Sequence, residues 1–157
     1  MGEGTDRRLA AVMFTDMVGY TALVQADEDA AVTKRDQYWS ALEQQHDALD
    51  GTIVQRLGDG SMSMFPSALA AVQAGVEVQR RLLALDVPVR IGIHVGEVIV
   101  EPERLTGVAV NIAARIESFA VPGGVMLSDS AYEQIGNRGD VELVALGRFK
   151  LKNVGRP

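Results

Sequence analysis

Val12–Thr21 reads VMFTDMVGYT, and the rest of the chain is organised around it. A strand-forming run leads straight into Asp16, and a small turn containing Gly19 follows at once. A carboxylate at the end of a buried strand costs free energy unless something compensates it. A cation would do so, and the backbone N–H groups of the turn behind it suit phosphate oxygens.

Working outward, the 157 residues suffice for one domain with a real core and leave little room for a second. A hydrophobic content of 47% is that of a globular chain, not a disordered or fibrous one. The formal charge of −6 argues against a nucleic-acid surface, which needs a basic stripe. An anionic ligand is still allowed, because a metal ion and a few placed Lys or Arg residues invert the local field. With no cysteine, disulfides, thiolate zinc sites and Cys nucleophiles are excluded, which is compatible with a cytoplasmic location. No apolar run approaches the roughly 18 residues of a membrane span, and no signal-peptide pattern opens the chain. Residues 1–6 read as a flexible lead-in and 7–157 as the domain. The closing NVGRP follows a basic strand-like run, and the natural protein is expected to continue beyond it.

Arg7–Thr15 is the first predicted strand, with a short helix from Tyr20 to Ala26 across the turn. A long helix is expected over Asp29–Asp50, with Val32, Trp39, Leu42, His46 and Leu49 near helical spacing and Gly51 as its stop. His46 lies in line with that stripe and reads as structural. Thr52–Leu57 and Ser61–Phe65 flank Gly58-Asp59-Gly60, a strong hairpin signal. Ser67 can cap a helix to about Leu85 with Leu69, Val72, Val76 and Leu83 on one face, and Pro88 closes the connection. Val89–Val95 and Glu97–Val100 are expected to pair around Gly96, with His94 serving packing or a local hydrogen bond. Glu101–Gly107 reads as a loop. Val108–Phe119 reads as a helix whose buried edge is Ile112, Ile116 and Phe119. After the Pro122-Gly123-Gly124 turn come a short strand at Val125–Leu127, a capped helix at Ser128–Ile135, and a final hairpin of Val141–Leu146 and Arg148–Leu151. Strands and helices mix without strict alternation and hairpins recur. This favours an α+β domain with a mostly antiparallel sheet covered by helices.

Two pairs of residues carry chemistry. Asp16 and Asp59 stand 43 positions apart, each at a strand end or hairpin tip. If the first strand pairs with the hairpin, both carboxylates converge on one sheet edge. With no His or Cys nearby they suit hard, oxygen-preferring Mg²⁺ or Mn²⁺. Two such ions serve in-line displacement at phosphorus. Asn111 and Arg115, at i and i+4, project together from a helix and could hold a ribose oxygen and a phosphate. Taken singly, Asp59 could equally be a turn residue, and Asn111 with Arg115 a solvated face.

FTDMVGYT, LGDG, RIGIHVGE and VNIAARIE, in that order and spacing, resemble the catalytic domain of the class III nucleotidyl cyclases, from about Arg7 to Pro157. The resemblance implies a ferredoxin-like core and a head-to-tail homodimer with active sites at its interface. It also implies conversion of ATP or GTP to the 3′,5′-cyclic monophosphate and pyrophosphate. Asp16 and Asp59 would bind two divalent cations, Mg²⁺ or Mn²⁺. Met17, Val18, Gly19, Tyr20 and Thr21 would cradle the β- and γ-phosphates. From the partner chain, Asn111 would orient the ribose and Arg115 would stabilise the α-phosphoryl group. Lys152, in LKN where the family usually has LKG, would neutralise terminal phosphates.

Two positions depart from the family's adenylate pattern, and both concern the base. Gln55 stands where Lys is usual, four residues before the second metal Asp. Arg104 stands where Asp or Thr is usual, seven before the Asn. A Gln amide both donates and accepts, so Gln55 serves either purine. Arg104 offers donors only, which suits guanine O6 or N7 better than adenine N6, unless it turns to solvent. ATP is the first expectation and a relaxed or GTP preference the second. A nucleotide-binding or dimerisation module of weak activity is the third. The last edge strand is expected to be truncated, and any regulatory domain to lie outside this chain.

Overall fold

A 12-residue strand, β1 (Asp6–Met17), forms the axis of the sheet. The computed structural model describes residues 6–135; most of the lead-in, the expected final hairpin and Lys152 lie outside this range. After β1 come α1 (Tyr20–Ala26), α2 (Glu28–Ala48), β2 (Thr52–Arg56), β3 (Gly60–Phe65) and α3 (Ala68–Ala84). Then follow β4 (Val89–Glu101), β5 (Arg104–Thr106), α4 (Val108–Ser118), β6 (Val125–Leu127) and α5 (Asp129–Ile135). Asp27 and Ser67 start α2 and α3 by accepting the N–H groups of Ala30 and Ala70, each at 3.1 Å.

The sheet order is β2-β3-β1-β4-β5, and β6 adds in parallel to the other half of the same β4 edge. β1 pairs antiparallel with β3 on one side and with β4 on the other. The first four strands with α2 and α3 therefore make the ferredoxin-like core, a βαββαβ unit. Alternate residues of β1 point to opposite faces. Ala11, Met13 and Met17 enter the larger core, with Tyr38, Leu42, Val72, Val78 and Leu82 of α2 and α3. Ala10 and Val12 point the other way, to Met62, Val98, Leu105 and to Ala109 and Ala113 of α4. No helix among the described residues is long and apolar enough to cross a membrane.

Several expected boundaries and faces move. Val89–Val95 and Glu97–Val100 are not a pair around Gly96; they are one strand, and the chain turns back only at Pro102-Glu103 into β5. The expected Glu101–Gly107 loop is thus partly strand. Gly96 is small for another reason: a Cβ there would lie 2.8 Å from the Ala109 Cβ. In α3 the buried face is Ala68, Ala71, Val72, Ala74, Gly75, Val78 and Leu82, while Val76 and Leu83 are 39% and 57% exposed. In α2 the face shifts by one residue, so that Ala31 and Tyr38 are buried and Val32 is exposed. In α4, Ala109, Ala113 and Ile116 face the sheet, and Phe119 is exposed just past the helix end. His46 is structural as expected, buried with Nδ1 2.7 Å from the Leu42 carbonyl. Helices that pack close use small residues at the contact, so the largest apolar side chains do not mark the inner face.

Gly92 and Gly96 let α4 lie flat on β4. A Cβ on Gly92 would come within 2.3 Å of the Glu117 backbone nitrogen, far inside any tolerable contact. Neither backbone can yield cheaply, so Gly92→Ala is expected to cost about 2–3 kcal/mol as an overpacking substitution. Denaturant melts of the two proteins check this; equal midpoints would mean that α4 is not seated as described.

Candidate active site

Asp16 lies on the α4 face of the sheet, opposite Gly60 of β3 and Arg90 of β4. The neighbouring Met17 N–H donates to the Asp59 carbonyl at 2.8 Å. The β2–β3 tip is closed by Leu57 N–H donating to the Gly60 carbonyl, also at 2.8 Å. Trp39 of α2 clamps this tip from outside: its Nε1–H donates to the Gly58 carbonyl at 3.2 Å, and Arg56 stacks 4.7 Å over its ring. Asp59 is thereby held beside Asp16, near enough for its charge to act on that carboxyl. The two acids converge as expected, but at the end of the central strand and not on a sheet edge. Beneath them, on the opposite face, Thr15 Oγ1 lies 2.5 Å from the buried Tyr38 hydroxyl and 2.6 Å from Ser61 Oγ. Burial holds the Tyr38 phenol far above its ordinary range, so this network stays neutral and stiffens the strand end.

Asp16 has a second acidic neighbour on its other side. Glu117 of α4 shares a side-chain hydrogen bond with Asp16. Burial is the main cause that raises both carboxyls, and Glu117 is pushed up to about 7, with the Asp16 charge adding to the effect. The hydrogen bond between them lowers Asp16 and raises Glu117. The Arg90 guanidinium favours the charged form of both acids, while Asp59 further raises Asp16. Asp16 Oδ1 is buried and accepts no hydrogen bond. An orphaned carboxylate oxygen next to a second carboxylate is a poor structural feature and a good fit for a hard divalent cation. Among the described residues, no group of three or more His, Cys, Asp or Glu is gathered to hold a metal unaided.

The turn after Asp16 is partly committed elsewhere. The Met17 N–H serves Asp59, and the Val18 N–H donates to the Pro88 carbonyl at 2.9 Å. Gly19 takes a left-handed φ of 75°, and its carbonyl accepts the first α1 bond, from Leu23. Of the expected cradle, Tyr20 and Thr21 therefore have N–H groups ahead of the first intrahelical bond. The Tyr20 hydroxyl accepts from Arg35 Nη1 at 3.2 Å.

Asn111 and Arg115 do share a face of α4, but not one turned to Asp16. Ala109, Ala113 and Ile116 face the sheet, and helical geometry sends Asn111 and Arg115 to the far side. Asn111 is exposed and Arg115 half-buried. Gln55 pairs with Met62 past a bulge in β2 and so shares the α4 face of the sheet. At that bulge Val54 packs into the cluster that holds Leu105, and the Cα atoms of β2 come within 8 Å of β5. The strands bearing Gln55 and Arg104 thus meet. Arg104 is 71% exposed in its side chain, with Nε 3.5 Å from Glu101 Oε1.

Residues 5–157 match the adenylate and guanylate cyclase catalytic domain. The chain belongs to this family. This cyclase domain is 37% identical over 99% of its length to a Rhizobium meliloti (strain 1021) protein provisionally named adenylate cyclase 3, and spans only 28% of that relative. Its fold matches the crystal structure of an adenylate/guanylate cyclase/hydrolase from Silicibacter pomeroyi with a TM-score of 0.88 and 30% identity, covering 98% of this chain and 94% of that one. It matches the guanylyl cyclase Cya2 with a TM-score of 0.76 and 27% identity, covering 86% and 82%. Relatives of this cyclase domain thus bear both the adenylate and the guanylate name.

Glu117 and Arg90 are neighbours of Asp16 that the sequence alone does not single out. Both stand inside the motifs VNIAARIE and RIGIHVGE, yet an acid on a helix and an arginine on a strand read as solvated until the glycine at 92 brings the two elements together.

Proposed function

We propose that this domain cyclises a purine nucleoside triphosphate, ATP first, to the 3′,5′-cyclic monophosphate and pyrophosphate, at sites shared between two copies of the chain. One observation carries the reading. Asp16 and Asp59 lie together while Asn111 and Arg115 leave α4 on its far side, so each chain holds two halves of a site that do not meet. A head-to-tail pair brings unlike halves together, and the arrangement is symmetric and closed. The sheet face is consistent with such a partner: among the described residues α4 covers only part of it, and Phe14, Val54 and Met64 remain half-buried.

In this reading Asp16 and Asp59 would hold two divalent cations, Mg²⁺ or Mn²⁺. When bound, such ions supply Lewis acidity at the phosphoryl group and at the attacking hydroxyl. Tyr20 and Thr21 offer backbone donors to the terminal phosphates. The partner's copy of Asn111 orients the ribose so that O3′ lies in line with the α-phosphorus. The bond from O3′ to phosphorus forms as the bond to the bridging oxygen of pyrophosphate breaks, and the hydroxyl proton is released. Arg115 meets the charge spread over the α-phosphoryl oxygens. Lys152, outside the described residues, is assigned to the terminal phosphates by its LKN segment alone. A nucleoside triphosphate substrate fits action in the cytoplasm.

Product formation from ATP and GTP with Mn²⁺ or Mg²⁺, followed across a protein concentration series, tests this. A rate rising faster than linearly with protein supports shared sites; nucleotide binding without product under every condition would leave only a binding module. A relaxed or GTP preference is favoured by one feature, the donor-only Arg104 on the strand that meets β2. Arg104→Asp is expected to shift the kcat/KM ratio towards ATP by about tenfold or more, because a well-placed polar pair to a base edge discriminates by about 1–3 kcal/mol. An unchanged ratio would mean that Arg104 never reaches the base.

A further inference from the structure

Glu117 has no role in the reading above, yet its placement is expensive. Two carboxyl groups half-buried side by side disfavour ionisation of each other, and any apolar or amide side chain at 117 would avoid that. The fold nevertheless forces the contact. Gly92, which pairs with Phe14 of β1, has no side chain, so the Glu117 backbone sits directly on β4, one alternation along the strand from Arg90 and its partner Asp16. From there the Glu117 side chain hydrogen-bonds Asp16, while Asp16 Oδ1 is left buried and without a partner. The Arg90 guanidinium, anchored through Nε to the Ala120 carbonyl at 3.2 Å, stands beside both acids. Ligating carboxylates are commonly supported by a hydrogen bond to a neighbouring side chain.

We propose that Glu117 is a positioning residue for Asp16, fixing that side chain from α4 of the same chain so that Oδ1 is presented to the divalent cation. The proposal rests on the metal assignment made above. It also gives α4 a double duty. Arg115 and Glu117 are two residues apart and face nearly opposite ways, so the helix offers Arg115 to one shared site and secures Asp16 of the other.

Mn²⁺ binding to the full chain in the presence of 3′-deoxy-ATP, which lacks the attacking hydroxyl, measures this without turnover. Electron paramagnetic resonance of free Mn²⁺ gives the affinity. Glu117→Ala and Glu117→Met are expected to weaken Mn²⁺ about 10–100-fold, the usual cost of removing a supporting partner. They should raise the activating Mn²⁺ concentration in step, with kcat at saturating Mn²⁺ nearly kept. Glu117→Gln, which keeps the shape and whose amide can donate to Asp16, should stay within about threefold of the parent. Unchanged affinity in the Ala and Met variants, or a Gln variant as weak as these, would overturn the positioning role. Asp16→Asn separates the two levels. If it weakens Mn²⁺ and Glu117→Ala does not, positioning alone fails; if it leaves Mn²⁺ binding intact, the metal assignment fails and positioning with it. Melting temperatures without Mn²⁺ show that each variant compared is folded; Glu117→Met keeps the volume if Glu117→Ala loosens α4.

Discussion

Asp16→Asn is expected to lower cyclic nucleotide formation by at least about a hundredfold while leaving the domain as stable as the parent, or more so. The two halves of this result have separate causes. A cation at a developing phosphoryl charge is worth several kcal/mol, and each 1.36 kcal/mol is a factor of ten in rate. The fold does not share that need. Burial raises the Asp16 carboxyl above its ordinary range, so the charged form opposes folding at neutral pH. The sign follows from linkage: a carboxyl raised on folding binds its proton more tightly in the native state, and stability falls as pH rises through that range. An amide cannot ionise and keeps both the shape and the ability to hydrogen-bond Glu117, so it removes that cost. Activity assays with Mn²⁺ beside cation-free melts read both quantities on one preparation. Full activity in Asp16→Asn would remove the carboxylate from the chemistry; a large loss of melting temperature would make it a structural residue instead.

The second large effect is rescue by mixing. Arg115→Ala and Asp16→Asn should each be nearly inactive alone, the former by about 10²–10³-fold as for other donors to transition-state charge. In a symmetric pair, a mixed dimer places both substitutions in one site and leaves the other site intact. With random exchange half the dimers are mixed, and each has one good site of two, so activity should recover to roughly a quarter of the parent. The comparison is sharp because nothing else in the two preparations changes. If mixing restores no activity although exchange is shown by cross-linking, Arg115 and Asp16 serve the same chain and the shared-site geometry is wrong.

The parts of this molecule that were legible in the sequence are those decided locally. VMFTDM alternates and ends on an acid, Gly58-Asp59-Gly60 turns, and Ser67 caps; each acts within a few residues of itself. The convergence of Asp16 and Asp59 needed only one strand pairing. What failed depended on a distant element. Gly96 reads as a turn until Ala109 is seen lying on it. Val76 and Leu83 outweigh Ala71 and Gly75 in hydropathy, yet the small residues face inward because the packing partner comes close. Glu117 looks like an ordinary acid on a helix surface, and only the missing side chain at Gly92 makes it a neighbour of Asp16. Its helix neighbours Asn111 and Arg115 are legible as helical, but the direction they face is set by Ala109, Ala113 and Ile116 packing on the sheet.

β1 is hydrogen-bonded along both edges where it carries Asp16, and its 12 residues extend about 40 Å at the usual rise of a strand. The anionic centre is therefore mounted on the stiffest rod in the molecule, buttressed by Tyr38 and Ser61 from behind. Such a support has little give, so if the sites are shared as proposed, the adjustable quantity is the distance and angle between protomers. Control then becomes a matter of alignment: an attached sensor that tilts one copy against the other can switch turnover on or off without covering a cleft, displacing a segment or melting either fold.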